Sequence, residues 1–286
     1  MDDHAGPLAR SVLDVAKCLD AISGYDGMDD RSIGSPKRGS TTYAATVQAQ
    51  PARLEGFNVG ILTEGFEHSA IDPAVKDTVM AAARKFEALG ATVKEISLPE
   101  HLNGPAIWTI QSRFSGALNI LGQSHGRRAL GLTELERERL PWTNESFQRA
   151  FPSTKNVLIN GLYLMSRFPA LYSKTNNVGR RLRDLYENIF EKYDVVVMPT
   201  TPVVAPRNGK RGMPLESLRP SMGLTVNTAI FNVTGHPAMS LPVGFAPAKD
   251  DAQIQLPVGM EIVGGLWQES KVFRAGHAWE SHFDWK

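Results

Sequence analysis

The chain has 286 residues with 31 basic and 30 acidic side chains, a formal charge of +1. That length can bury a substantial core as one large domain or two smaller ones, while the even charge balance gives no electrostatic case for nucleic acid or an anionic membrane surface as partner. The single cysteine, Cys18, cannot form an internal disulfide and fits a reducing compartment. No apolar run approaches the ~20 residues that span a bilayer, and Met1-Asp-Asp-His4 lacks the basic start and apolar core of a signal peptide, so a cytoplasmic location is expected.

The first predicted element is a helix from Ser11. Ser11 and Asp14 have the N-cap spacing, Val12, Val15, Ala16, Leu19 and Ile22 repeat at helical intervals, and Gly24 offers a stop. Cys18 lies inside this pattern and reads as an inert buried thiol. Residues 26–52 lose periodicity and are rich in Asp, Gly, Ser, Pro and Thr, which predicts a loop or linker. Within them Gly39-Ser-Thr-Thr42 lacks the flanking glycines of a catalytic serine turn.

A strand–helix–strand unit follows. Residues 57–62 read as a strand, Asp72-Pro73 as an N-cap with proline at the first helical position, and Val75, Val79, Ala82, Phe86 and Leu89 as the buried stripe before Gly90. A returning strand at 92–98 then implies a parallel pair with a right-handed crossover. Residues 105–192 are predicted largely helical, with a break at Phe168-Pro169 because proline disfavours helix at the preceding residue. The stripe Leu158, Leu162 and Met165 reads as core, and Leu182, Leu185, Ile189 and Phe190 would bury the last helix against the sheet.

Val195-Val-Val-Met198 is a short unbroken apolar run, as expected of a strand covered on both faces. Residues 203–220, rich in Pro, Gly and basic side chains, suggest a mobile surface loop. Strands at 238–241 and 258–263 and a closing helix over 269–285, with Val272, Ala275, Ala278 and Trp279 packed on the sheet, complete the reading. The fold class is α/β: a mixed sheet with helices on both faces.

Catalytic motifs are scarce. The seven histidines are scattered, Gly-x-Ser-x-Gly, His-Glu-x-x-His and Cys-x-x-Cys are absent, and the glycines at 259, 264 and 265 do not make a nucleotide loop. Neither a metal nor another cofactor is implied. Thr200 and Thr201 directly follow the buried strand, where ligands gather in open α/β sheets. Pro199 and Pro202 would stiffen that loop. Two readings stay open there: a rigid turn whose hydroxyls satisfy local backbone, or pocket lining.

Four segments together resemble the amidase signature family: His4-Ala-Gly-Pro-Leu-Ala-Arg-Ser11, Tyr193-Asp-Val-Val-Val-Met-Pro-Thr-Thr-Pro202, Asn227-Thr-Ala-Ile-Phe-Asn-Val-Thr-Gly-His-Pro-Ala-Met-Ser-Leu-Pro-Val-Gly244 and Leu256-Pro-Val-Gly-Met-Glu-Ile-Val-Gly-Gly265. They stand in the family's order, so the resemblance covers essentially the whole chain. It implies hydrolysis of a small neutral carboxamide through an acyl-serine intermediate, without a cofactor. It also implies that the Ser–Ser–Lys triad belongs upstream of the segment matching 4–11, so residues 1–286 would be a partial amidase domain without recognisable catalytic residues, inactive alone. On the acyl-pocket segment the resemblance points to Asn227 as a hydrogen-bond partner for a carbonyl or amide, to Thr228, and to Phe231 as an apolar contact. The competing reading makes Phe231 core and Asn232 a cap. The chain's ending, from Ala275 to Trp285, looks closer to broad-specificity and nitrile-pathway amidases than to the glutamyl-tRNA amidotransferases of the same family. Those carry an arginine pair where this chain has Asn156-Val157. The expected partners are a small-molecule amide and either a second copy of the chain or a separate N-terminal half. The rival function is a truncated, non-catalytic paralogue that assists an intact amidase.

Overall fold

The computed structural model describes residues 4–123, 130–209, 212, 213, 216 and 218–286. Five strands, β1 (Asn58–Leu62), β2 (Thr92–Ile96), β3 (Val195–Pro199), β4 (Ala238–Ala248) and β5 (Asp251–Gly264), form one sheet in the order β2-β1-β3-β5-β4. β1 runs parallel to both β2 and β3, and β5 runs antiparallel to β3 and β4. The sheet is therefore mixed, as the sequence predicts. All five residues of β3 are buried, which is why that strand carries no polar alternation.

α1 (Val12–Ile22) starts where the Ser11 side chain accepts the Asp14 N–H. α3 (Pro73–Arg84), capped by Asp72, continues into a 3-10 turn over Lys85–Leu89 and stops at left-handed Gly90. α3 and the closing helix, α10 (Glu269–His282), pack on one face of β3, β4 and β5. Trp279, fully buried, donates its indole N–H to Ala82 O at 3.1 Å and ties the two helices together. Outside α10 lies α1, whose Val12 N–H is accepted by both Glu280 carboxylate oxygens at 3.0 Å. The helical stretch between β2 and β3 resolves into α4 (Gly104–Ile120), α5 (Thr133–Arg139), α6 (Asn144–Arg149), α7 (Pro152–Arg167) and α8 (Leu171–Phe190). The break falls at Phe168 as expected, and residues 124–129 lie outside the described residues.

Four expectations need correction. Residues 26–52 are not loop throughout: α2 (Tyr43–Ala49) forms there, with Val47 buried, and a short 3-10 turn covers Asp30–Ser32. Asp20 of α1 accepts the Tyr43 and Ala44 N–H groups at 2.8 and 2.9 Å, so a tertiary carboxylate caps a helix that no local signal marks. Cys18 is exposed, not buried. It follows buried Ala16 by two residues, about 200° round the helix, so it faces away from the packed side. Leu162 is also exposed, although Leu158 is buried; α7 packs chiefly on α4, and its outer half is uncovered. Finally, β4 and β5 extend far beyond 238–241 and 258–263 as a long hairpin. β4 carries Pro242, Gly244 and Pro247; it is an edge strand with register shifts at Pro242/Gly244 and Pro247/Ala248, where proline is tolerated. The loop expected at 203–220 rests partly on residues 210, 211, 214, 215 and 217, outside those described.

Candidate functional site

A groove of about 1380 Å³ runs along the free edge of β4. Its walls are the segment His4–Ser11, the two-turn helix α9 (Thr228–Thr234), and α10 with the tail after it. The sheet contributes β4 residues 238–242 and Glu261 of β5 to the lining, while β1, β2 and β3 do not line it.

α9 is fixed by a buried polar chain. Asn227, 1% exposed, donates both amide hydrogens, to Gly65 O at 3.0 Å and Pro199 O at 2.7 Å. Its Oδ1 lies 3.2 Å from His101 Nε2. With both Nδ2 hydrogens committed, Oδ1 is the acceptor, so His101 carries its proton on Nε2. His101 Nδ1 then accepts the Tyr186 hydroxyl at 2.6 Å. Burial holds His101 neutral, its pKa pushed down to about 4, and raises the Tyr186 phenol well above its ordinary value. Ahead of β4, His236 sits between Thr234 Oγ1 at 2.8 Å and Glu187 Oε1 at 3.0 Å. Burial lowers its pKa, against the opposing pull of Glu187. Both histidines are thus satisfied structural groups.

The sequence-predicted residues divide. Thr228 and Phe231 line the groove. Phe231 is only 4% exposed and packs edge-on against Tyr186 at 5.3 Å between ring centroids, so it is chiefly core with one edge at the groove. Thr200 and Thr201 do not line it. Thr201 donates its hydroxyl to Val203 O at 2.9 Å, a local turn contact. Thr200 reaches the groove indirectly, through a 2.7 Å hydroxyl pair with Ser240, which is exposed there. Asn227 contributes support and not lining. Asn232 Oδ1 lies 3.1 Å from His4 Nδ1 and helps hold the N-terminal segment.

Gly259 explains the Thr200–Ser240 contact. A Cβ there would sit 2.7 Å from Ser240 Oγ and 3.0 Å from Thr200 Oγ1, so only glycine lets the two hydroxyls meet over β5. Beside them stands a residue that sequence reasoning missed, Glu261, paired in register with Ser240 and Met198 and therefore on the same face. It is 4% exposed, lines the groove, and its Oε2 has no hydrogen-bond partner. Burial pushes its pKa up to about 8, so the carboxyl is mostly neutral at pH 7. The signal was present: one carboxylate interrupts the apolar run Val258-Gly-Met-Glu-Ile-Val263. Among the described residues no cluster of metal-ligating side chains occurs, and no helix is long and apolar enough to cross a membrane.

Comparison with known proteins agrees with this architecture. The family model described as Amidase matches residues 1–273. The glutamyl-tRNA(Gln) amidotransferase A-type component of Ruthia magnifica subsp. Calyptogena magnifica is 30% identical over 289 residues, covering 99% of this chain and 56% of that protein. Among solved structures, a bacterial aryl acylamidase of the amidase signature family has a TM-score of 0.71 at 20% identity, over 96% of this chain and 52% of its own. A 6-aminohexanoate cyclic dimer hydrolase has a TM-score of 0.71 at 24% identity, over 97% and 54%. At those identities the structural likeness speaks for the fold alone. The chain spans about half the length of the curated relatives it matches. With four motifs in family order, a mixed sheet of the same architecture and a family match over nearly its whole length, this chain belongs to the amidase family.

Proposed function

We propose that residues 1–286 are the acyl-pocket portion of an amidase domain acting on a small neutral carboxamide. The observation that carries this reading is the groove along β4, walled by Thr228 and Phe231 in the segment that resembles the family's acyl site. In it Phe231 and Leu241 offer apolar surface and Ser240 a hydroxyl, a combination suited to an uncharged acyl group. Thr200 positions Ser240, Thr201 stiffens the turn after β3, and Asn227 anchors α9, so these three support the pocket from behind its wall. No nucleophile paired with a base is evident among the described residues. Of the histidines that line the groove, His236 is committed to Thr234 and Glu187, His4 to Asn232 and His282 to Ala278 O, and His101, packed behind Phe231, is committed to Tyr186 and Asn227. Under this reading the acyl-serine chemistry belongs to the Ser–Ser–Lys triad that the resemblance implies, upstream of the segment matching residues 4–11.

A second reading is a non-catalytic partner of another amidase chain. It is favoured by the name of the relative from Ruthia magnifica, which is one component of an amidotransferase. The two readings separate in one assay: hydrolysis of aliphatic and aromatic carboxamides by the chain mixed with an upstream amidase fragment, with Phe231→Ala in parallel. Under the first reading activity returns and Phe231→Ala weakens apolar amides by ~1–3 kcal/mol. Under the second, the chain raises the activity of an intact amidase and Phe231→Ala leaves the substrate preference unchanged.

A further inference from the structure

Glu261 has no role in holding the fold together. A carboxyl on the central part of a sheet, 4% exposed and with one oxygen unpartnered, costs stability unless something satisfies it. Its neighbours on the same face, Met198 and Ser240, make no hydrogen bond or ion pair with it. The group's remaining surface opens into the groove, next to the exposed hydroxyl of Ser240 and in the space that Thr228 also lines. We propose that Glu261 is the polar anchor of this groove and binds a neutral carboxamide group, its carboxyl hydrogen-bonding the amide from the edge that faces the groove.

Two facts favour an uncharged ligand over a cation. Desolvation is the whole cause of the carboxyl's altered ionisation, with no neighbouring charge contributing, so at neutral pH the site offers one donor and one acceptor and not a negative charge. An amide presents the complementary acceptor and donor on adjacent atoms. The choice of a carboxamide rests on the amidase reading above; the existence of the site rests on the orphaned carboxyl.

Benzamide binding to the 286-residue chain, followed by NMR shift titration at pH 6.5, tests this without requiring turnover. Glu261→Gln, whose amide also supplies a donor and an acceptor, should keep the affinity within about threefold, and Glu261→Leu should lower it by about tenfold or more. Melting temperature should show Glu261→Leu at least as stable as the wild type, so a loss of binding is not a loss of fold. Raising the pH from 7 to 9.5 should weaken wild-type binding and spare Glu261→Gln. His236 in the groove wall and Tyr186 behind Phe231 are neutral through that range, the imidazole and the phenol both held uncharged by burial. Arg10 and His4 on the N-terminal segment, Glu269, Glu280 and His282 on α10, and Asp284 and Lys286 after it line the groove and are common to both proteins; β3 and β4 place Met198 and Ser240 beside Glu261, and α9 contributes the uncharged Thr228, Phe231 and Asn232 to the lining. Undiminished affinity in Glu261→Leu, or no saturable benzamide binding in the wild type, would overturn the proposal. Benzylammonium binding more tightly than benzamide and failing in Glu261→Gln would overturn it as well, by making the site a cation site. A failure of amide hydrolysis in the reconstitution assay would leave these binding results standing, so the two readings fail separately.

Discussion

Glu261 and Asn227 both sit close to the groove and make opposite contributions to stability. The Glu261 carboxyl titrates at about 8 in the folded chain against an ordinary 4.5. The folded state therefore keeps a proton that the unfolded chain releases, and the associated stability is complete below pH 4.5 and lost as the pH climbs to about 8. At about 1.4 kcal/mol per pH unit the upper bound is about 5 kcal/mol. Glu261→Gln should thus gain in melting temperature over the wild type progressively between pH 4.5 and 8, and the gap should level off above that. A constant gap across this range would mean the carboxyl is solvated or paired. Asn227 works the other way, because its two donated and one accepted hydrogen bonds join Gly65, Pro199 and His101. Asn227→Ala should cost about 2–4 kcal/mol by leaving those buried groups unpartnered. Asn227→Asp should be worse still, since a carboxylate cannot donate to two carbonyls; equal stability of Asp and Asn in a urea titration would contradict the assigned network.

Between elements, the α4–α7 crossing depends on close approach at two glycines, Gly116 against Val157 and Gly161 against the α4 backbone. A Cβ at Gly161 would lie 2.3 Å from Ala117 Cβ and 2.4 Å from Arg113 O. Alanine gains up to about 1 kcal/mol over glycine in helix propensity, but the overlap with a rigid backbone carbonyl costs about 1–3 kcal/mol. The clash should win, and Gly161→Ala should lower the urea midpoint; a raised midpoint would show that the helices are free to separate. Elements whose determinants are local were legible in the sequence. Asp72-Pro73 and Gly90 bracket α3 and its 3-10 extension, the run Val195–Met198 is β3, and Val272, Ala275, Ala278 and Trp279 form the buried stripe of α10. What failed was decided at a distance: α2 is capped by Asp20 from another helix, and the β4–β5 hairpin carries prolines that only an edge strand accommodates. The site was legible in the same proportion. Thr228 and Phe231 came from a resemblance, whereas Ser240 and Glu261 became visible only once the register placed them side by side at the groove.

For the molecule as a whole, the two sheet edges differ. β2 ends the sheet with polar Thr92, Lys94 and Glu95 exposed or half-buried, a composition that discourages further pairing. β4 ends it beside the large groove, with Leu241 and Val243 buried and Ser240 open to it. The groove thus lies along this edge, next to the orphaned Glu261 and the exposed Ser240 hydroxyl. A chain built this way should shape an amide pocket without itself carrying the acyl-serine chemistry. The decisive measurement is hydrolysis of simple aliphatic and aromatic carboxamides by the purified chain, with a serine-directed fluorophosphonate probe alongside. Negligible turnover and no stoichiometric serine labelling are expected, with turnover appearing on addition of an upstream amidase fragment. Robust hydrolysis by the chain alone, with one serine labelled per molecule, would contradict the pocket-only role.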